Sequence, residues 1–230
     1  MPPTTSNVAI ANHPSENLTI SAGVAIFHLA TSRVVLCYHT RDQYYFLPKG
    51  RKNAYEDVCR TAEREGFEES GYRNRLLPLP MQHRATDGDE GKERWVTETQ
   101  WMQLLPLGRG RQYVLFWYVG ETVPPEVEES YGGERGVYRV PEAFPKEGTL
   151  EERIRLDKVI GEDGTEKIYE PVRHEGTGVD EEEALYTSQL VPVEEAKRKL
   201  RGSVMEDVVR RGWEGIQQRM ETERIEAGVA

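Results

Sequence analysis

The chain has 230 residues, 37% of them hydrophobic and 30% charged, enough for one well-formed core with extensions and no demand for a second domain. Its 30 Lys+Arg against 40 Asp+Glu give a formal charge of -10, which opposes sequence-blind adhesion to nucleic acid or to anionic membrane. An anionic ligand must therefore be met by a local basic patch or a metal, and the absence of both a long apolar run and a basic leader points to a soluble protein of the cytoplasm, or also of the nucleus.

Residues 1–17 are polar and rich in Pro, Ser, Thr and Asn, a composition that cannot offset ordering entropy, and read as a flexible tail. Residues 22–29 and 33–39 read as consecutive buried strands joined tightly at 30–32, and 44–47 as a short third strand ended by Pro48. Over 57–70 the residues Val58, Ala62 and Gly66 recur every four positions among charged ones, which is helical spacing, and Gly71 is placed to stop the helix. The stretch 83–100 is polar. Residues 112–121 (QYVLFWYVGE) are β-branched and aromatic almost throughout, and being apolar on both faces they predict a central strand.

From about 121 to 180 the composition shifts to Glu, Gly and Pro, with two alternating runs, 154–160 and 167–172, around Asp163-Gly164. That pattern predicts an inserted hairpin in a flexible segment. A last strand is expected at 184–191 and a helix at 193–200. After a break at Gly202, Ser203 and Glu206 form a candidate capping box for a second helix carrying Val208, Trp213, Ile216 and Met220. The expected organisation is one domain over 18–225 with a short tail at 226–230. Cys37 in an apolar run and Cys59 in a helical pattern read as two buried thiols rather than a disulfide or a zinc site.

The chemistry concentrates in residues 50–72, GRKNAYEDVCRTAEREGFEESGY. On an ideal helix Glu65, Glu68 and Glu69 lie at about 0°, 300° and 40°, an arc of roughly 100°. Like charges so close repel, and a divalent cation converts the repulsion into a binding site; hard oxygen ligands favour Mg²⁺ or Mn²⁺ over zinc. Glu56 serves that face only if the helix begins after it, with Asp57 as N-cap. The competing start, Asn53 as cap with Glu56 closing a capping box, makes Glu56 structural.

This segment resembles the Nudix box: Gly, five residues, Glu, seven residues, Arg-Glu, an aliphatic residue, any residue, Glu-Glu, any residue, Gly and an aliphatic residue. Gly50, Glu56, Arg64-Glu65, Glu68-Glu69 and Gly71 fall in register, while Gly66 and Tyr72 stand where the family has aliphatic residues. Glycine inside a helix costs about 0.5–1 kcal/mol relative to Ala. The resemblance implies an α/β fold, an α/β/α sandwich with a mixed sheet, carrying an inserted segment and C-terminal helices, and Mg²⁺-dependent hydrolysis of a phosphoanhydride bond. It implies Glu65, Glu68 and Glu69 as metal ligands with the carbonyl of Lys49 or Gly50, Arg64 orienting a carboxylate, and Glu56 assisting. The general base of the family is Glu65 in some members and a Glu outside the box in others, sought here in the run Glu181-Glu182-Glu183.

Beside the box, Lys49, Arg51 and Lys52 place three cations in four positions, and Arg109 and Arg111 precede the central strand. Local cations suit a polyphosphate. Pro48-Lys49-Gly50 resembles diadenosine polyphosphate hydrolases and decapping enzymes; Arg109-Gly110-Arg111 with Tyr113-Val114 resembles diphosphoinositol polyphosphate phosphohydrolases. The expected substrate is therefore a small phosphorylated molecule, a dinucleoside polyphosphate or diphosphoinositol polyphosphate first. ADP-ribose, NADH or an mRNA cap is the enzymatic alternative, and nucleic acid is not expected except as a capped RNA end. From other classes come a Nudix-fold module that binds without cleaving and a scaffold acting through its C-terminal helices.

Overall fold

The computed structural model describes residues 10–86, 93–132, 136–161, 163–178 and 181–228. The sequence reading of residues 1–9 therefore lies outside them, and residues 10–14 are exposed and irregular. Strand β1 (Leu18–His28) turns through a 3-10 segment, Leu29–Thr31, into β2 (Arg33–His39), with Ser32 in the left-handed region at φ 52. β3 (Tyr44–Phe46) returns along β2, β4 (Lys49–Arg51) pairs with β1, and α1 (Val58–Ser70) follows. The chain continues as β5 (Asn74–Leu76), β6 (Trp101–Gly108), β7 (Arg111–Thr122), α2 (Pro125–Ser130), α3 (Leu150–Arg155), β8 (Lys158–Ile160) and β9 (Glu166–Ile168). It ends in β10 (Tyr186–Pro192), α4 (Val193–Lys199) and α5 (Val204–Glu226).

An eight-stranded sheet runs β10-β2-β1-β7-β5, with β3 on β2, β4 on β1 and β6 on β7. β1 and β7 are parallel and every other pair is antiparallel, so the sheet is mixed. β7 lies inside it, as a strand apolar on both faces must. Alternate residues of β1 go to opposite layers. Ala22, Val24 and Ile26 face α1, together with Val35 and Tyr118. Ala25 and Phe27, with Leu115, Trp117 and Val119, pack against Val193, Ala196, Val208 and Ile216 of α4 and α5. The architecture is an α/β/α sandwich.

Four local expectations are corrected. β6 was not anticipated; it carries Pro106 and Gly108, which it tolerates as an edge strand bonded to β7. In the inserted segment the first run begins as helix, since Thr149 and Glu152 form a reciprocal capping box that starts α3, and the hairpin β8-β9 has only three residues per strand. The last strand starts at Tyr186, after a 3-10 turn at Glu183–Leu185. Ser203 stands at the N-cap of α5 but closes no capping box: its hydroxyl donates to the Leu200 carbonyl, and Glu206 accepts from the N–H of Gly202.

The inserted segment is fixed to the sheet by buried charges. Arg75 Nε donates to Glu121 Oε1 at 2.7 Å, and Arg153 Nε lies 2.7 Å from Glu121 Oε2. Arg153 also donates to Asp157 Oδ1 and to the Thr122 carbonyl, at 2.8 and 2.7 Å. Breaking such a pair by removing one partner typically costs about 3–5 kcal/mol. Cys37 is buried, Cys59 is half-buried, and both are free thiols. No helix among the described residues is long and apolar enough to cross a membrane.

Candidate active site

Helix α1 begins after Asp57, which takes the extended N-cap conformation at φ -77 and ψ 147, though its side chain makes no capping bond. Glu56 is thereby left just ahead of the helix. Its carboxylate accepts from the N–H of Asn53 at 3.0 Å, from Thr61 Oγ at 2.9 Å and from Arg64 Nε and Nη2 at 2.8 and 3.0 Å. Both alternatives are thus partly realised: the helix starts at Val58, and Glu56 still reaches back to Asn53. Burial alone would raise the Glu56 pKa, but the bonds from Arg64, Asn53 and Thr61 outweigh it and hold the group at about 2.

Arg64 is the hub of the segment. Beyond Glu56 its Nη1 donates to Glu65 Oε1 at 2.8 Å and to Glu68 Oε2 at 2.6 Å, and its Nη2 donates to the Arg51 carbonyl at 2.9 Å. A planar guanidinium with five donors can gather three carboxylates and a loop in this way, where a lysine could not.

One oxygen each from Glu65, Glu69 and Glu183 lie within 4.8 Å of one another. Glu65 and Glu69 come from adjacent turns of α1, and Glu183 comes from the turn before β10. Burial first, then the charges of Glu68 and Glu183, push the Glu65 pKa up to about 7 against the pull of Arg64. Burial, with Glu65 and Glu183, pushes Glu69 to about 8, against the Lys49 ammonium and the Lys49 N–H that donates to Glu69 Oε2 at 2.7 Å. Glu65 and Glu69 thus resist ionising, and with Glu183 they present three hard oxygen donors that fit a divalent cation such as Mg²⁺ or Mn²⁺.

The glycines of the box have steric reasons. A Cβ on Gly50 would stand 1.9 Å from Glu65 Oε2, so only glycine lets the carboxylate lie against the strand. A Cβ on Gly66 would meet Val24 Cγ1 and Asn74 Nδ2, both at 2.7 Å. The departure from the aliphatic pattern therefore brings α1 closer to β1 and β5 rather than leaving a hole. Gly71, at φ 75, closes the helix with its N–H on the Phe67 carbonyl.

Of the expected metal ligands, Glu65 and Glu69 come together. Glu68 is turned to Arg64, and the third oxygen within 4.8 Å of theirs is that of Glu183. Its only sequence signal was the acidic run ahead of the final strand. Beside this cluster opens a cleft of about 360 Å³ lined by Glu68, Glu69, Glu183, Arg173, Thr177 and Tyr186, among others. Its outer wall, residues 173–178 of the inserted segment, is pinned to the end of α1. The His174 N–H donates to the Gly71 carbonyl and Thr177 Oγ to the Glu68 carbonyl, both at 2.8 Å, and Arg173 bridges to Tyr72. Sequence reasoning missed this wall, because Thr177 and its partner Glu68 are 109 residues apart and its composition is that of a loop.

The expected basic residues divide. Lys49 stands against Glu69; Arg51 is exposed and offers its carbonyl to Arg64; Lys52 Nζ donates to the Asn53 carbonyl at 3.0 Å. Gly50 aligns with Ala22, and Ala22 with Phe116, so Arg111 lies five residues further along the sheet and two strands across, on the order of 20 Å away. Arg109 sits beyond it in the exposed β6-β7 turn, at φ 53. The structure does not bring Arg109 and Arg111 to the cleft. Of the two tyrosines of β3, Tyr45 packs against the core and Tyr44, 47% exposed, stacks on His39.

No family model matches the sequence, and no curated protein matches it. Among solved structures the chain is similar to a Nudix hydrolase from Nitrosomonas europaea, at 12% identity over 84% of this chain and 86% of that one, with a TM-score of 0.39. It is also similar to a hydrolase of the Nudix family from Clostridium perfringens, at 12% identity over 89% and 99% of the two chains, with a TM-score of 0.41. A C. elegans Ap4A hydrolase is similar at 13% identity over 84% and 93%, with a TM-score of 0.38. At these TM-scores the likenesses carry no weight beside the residues themselves.

Proposed function

We propose that the chain is a Nudix hydrolase, a Mg²⁺- or Mn²⁺-dependent enzyme that cleaves a phosphoanhydride bond in a nucleoside- or inositol-linked diphosphate by attack of water on phosphorus. The observation that carries the reading is the convergence of Glu65, Glu69 and Glu183 within 4.8 Å, from two segments far apart in the chain, in register with an intact box. These three carboxylates, with the carbonyl of Gly50, would hold the cation. A bound cation would polarise the phosphorus and lower the pKa of a coordinated water. Arg64 fixes Glu65 and Glu68, and Glu56 fixes Arg64. A binder that never cleaves has no use for so complete an acidic cluster, which disfavours that alternative.

Among substrate classes, a highly phosphorylated one, dinucleoside polyphosphate or diphosphoinositol polyphosphate, loses the support of Arg109 and Arg111 and keeps that of Lys49, Arg51 and Lys52. A compact diphosphate of the ADP-ribose or NADH type needs fewer cations, and the size and charge of the cleft favour it. The test is a panel of ADP-ribose, NADH, diadenosine tetraphosphate, a diphosphoinositol polyphosphate and a nucleoside triphosphate, compared by kcat/KM with and without Mg²⁺. Cation-dependent cleavage led by ADP-ribose or NADH is expected. A lead of about tenfold or more for a polyphosphate, roughly 1.4 kcal/mol, reverses the substrate order, and no cleavage of any substrate overturns the enzymatic reading.

A further inference from the structure

The cleft beside the carboxylate cluster holds one cation from a part of the chain that the box does not include. Arg173 belongs to the inserted segment and lines the same wall-to-wall space as Glu68, Glu69 and Glu183. Its position is fixed from two sides. The backbone bridges to Tyr72, just past the end of α1, and Nε donates to Ser188 Oγ on β10 at 2.7 Å, while Ser188 Oγ in turn donates to the Ser70 carbonyl. The guanidinium is thus held between α1 and β10.

Its terminal nitrogens are uncommitted. Among the described residues they make no hydrogen bond, and the nearest carboxylate to Nη1 is that of Glu175, at 3.8 Å on a side chain that is 90% exposed. So distant and solvated a pair contributes little. The other arginines near the site are consumed: Arg64 donates to Glu56, Glu65, Glu68 and Arg51, and Arg73 is stacked between the rings of Phe67 and Tyr131. A fork of donors held by its Nε and facing a cleft is the geometry that reads two oxygens of one phosphate.

We infer that Arg173 is the anchoring residue for the substrate's second phosphate: its Nη groups donate to the non-bridging oxygens of the phosphoryl group that is not attacked, while the attacked one faces Glu65, Glu69 and Glu183. The inference rests on the proposed hydrolase reading and adds the recognition it lacks. The recognised chemistry is a diphosphate flanked by small groups, because one guanidinium carries a single positive charge and its fork reads two oxygens of one phosphate. The inserted segment then contributes a wall of the substrate site and its principal cation, rather than a cover alone.

The test separates this inference from the hydrolase reading by measuring binding without turnover. The probe is imidodiphosphate, a non-hydrolysed diphosphate, titrated calorimetrically into the full chain with Mg²⁺ present. Wild-type protein binds it, Arg173→Ala weakens binding by about tenfold or more, and Arg111→Ala leaves it within about twofold. With a cleaved substrate the same Arg173→Ala change raises KM by about tenfold while kcat changes by less than about threefold, as loss of uniform binding requires. Ser188→Ala, which frees the guanidinium without removing its charge, gives an intermediate loss. If Arg173→Ala fails to fold by circular dichroism, Arg173→Lys is read in its place. It keeps a charge and loses the fork, and at least about a threefold weakening is expected. No imidodiphosphate binding by the wild type, or unchanged binding by the folded Arg173 variant, overturns the inference. Absence of hydrolysis with intact, Arg173-dependent binding overturns the hydrolase reading alone.

Discussion

The backbone N–H of Lys49 donates to Oε2 of Glu69 at 2.7 Å, joining strand β4 to the last turn of α1 at a carboxylate that lines the cleft. That bond orients Glu69 and favours its charged form, but burial first, and then Glu65 and Glu183, still oppose its ionisation.

Replacement of Glu69 by Gln is therefore expected to keep the bond from Lys49, keep the fold and remove a charge that the cation needs. Cation-dependent turnover should fall by more than the roughly 10- to 100-fold typical of an outer partner. Circular dichroism and phosphate release, measured side by side, check it. Turnover within about threefold of wild type removes Glu69 from the cation site.

The raised pKa values of Glu65, about 7, and Glu69, about 8, set the pH dependence of stability in the cation-free protein. Both start from 4.5, so between about pH 4.5 and 8 the folded state holds protons that the unfolded chain has released. Their stabilising contribution is complete below pH 4.5 and is lost as pH rises through 7 and 8. Thermal melts in EDTA should show a lower midpoint at pH 8 than at pH 6, and added Mg²⁺ should raise the midpoint most at pH 8. Equal Mg²⁺ effects at the two values contradict the shared cation site.

Arg64 holds Glu56, Glu65, Glu68 and the Arg51 carbonyl at once. Arg64→Ala should cost on the order of 3 kcal/mol of unfolding free energy, the usual penalty for leaving buried carboxylates without their partner. Arg64→Lys should recover part of the stability and little of the activity, since one ammonium cannot span three carboxylates. Urea titrations and kcat/KM for the two variants separate these effects.

The two box glycines should fail differently. Gly50→Ala places a methyl group against the Glu65 carboxylate, so loss of turnover with a nearly unchanged unfolding midpoint is expected. Gly66→Ala crowds Val24 and Asn74 instead, and should destabilise by about 1–3 kcal/mol while the remaining folded protein stays active. Identical phenotypes for the pair would show that Gly66 also shapes the cluster.

Much of this is written locally in the chain. The β1-β2 hairpin, the apolar interior strand β7 and the helix from Val58 to the left-handed Gly71 follow from alternation, four-residue spacing and a glycine stop, all short-range signals. The fixed spacing of Arg64, Glu65 and Glu69 likewise puts them on one helix face. What stays hidden depends on distant partners. Glu183 is one of three adjacent glutamates, and only the β10-β2 register brings it rather than its neighbours to Glu65 and Glu69. Arg173 lies in a stretch with no periodicity. Arg109 and Arg111 misled because nearness to a central strand says nothing about which end of that strand the cleft occupies.

The Arg75-Glu121-Arg153 chain of buried charges has an evolutionary consequence. A surface insertion can usually be spliced out or exchanged at small cost, whereas excising this one removes Arg153 from Glu121 Oε2, leaves a buried carboxylate with Arg75 as its one remaining cation and deletes the cleft wall with it. The segment cannot behave as an interchangeable module. Related chains that lose it should also have changed Glu121, whose second oxygen loses Arg153, so that position serves as a marker of whether the appendage is present.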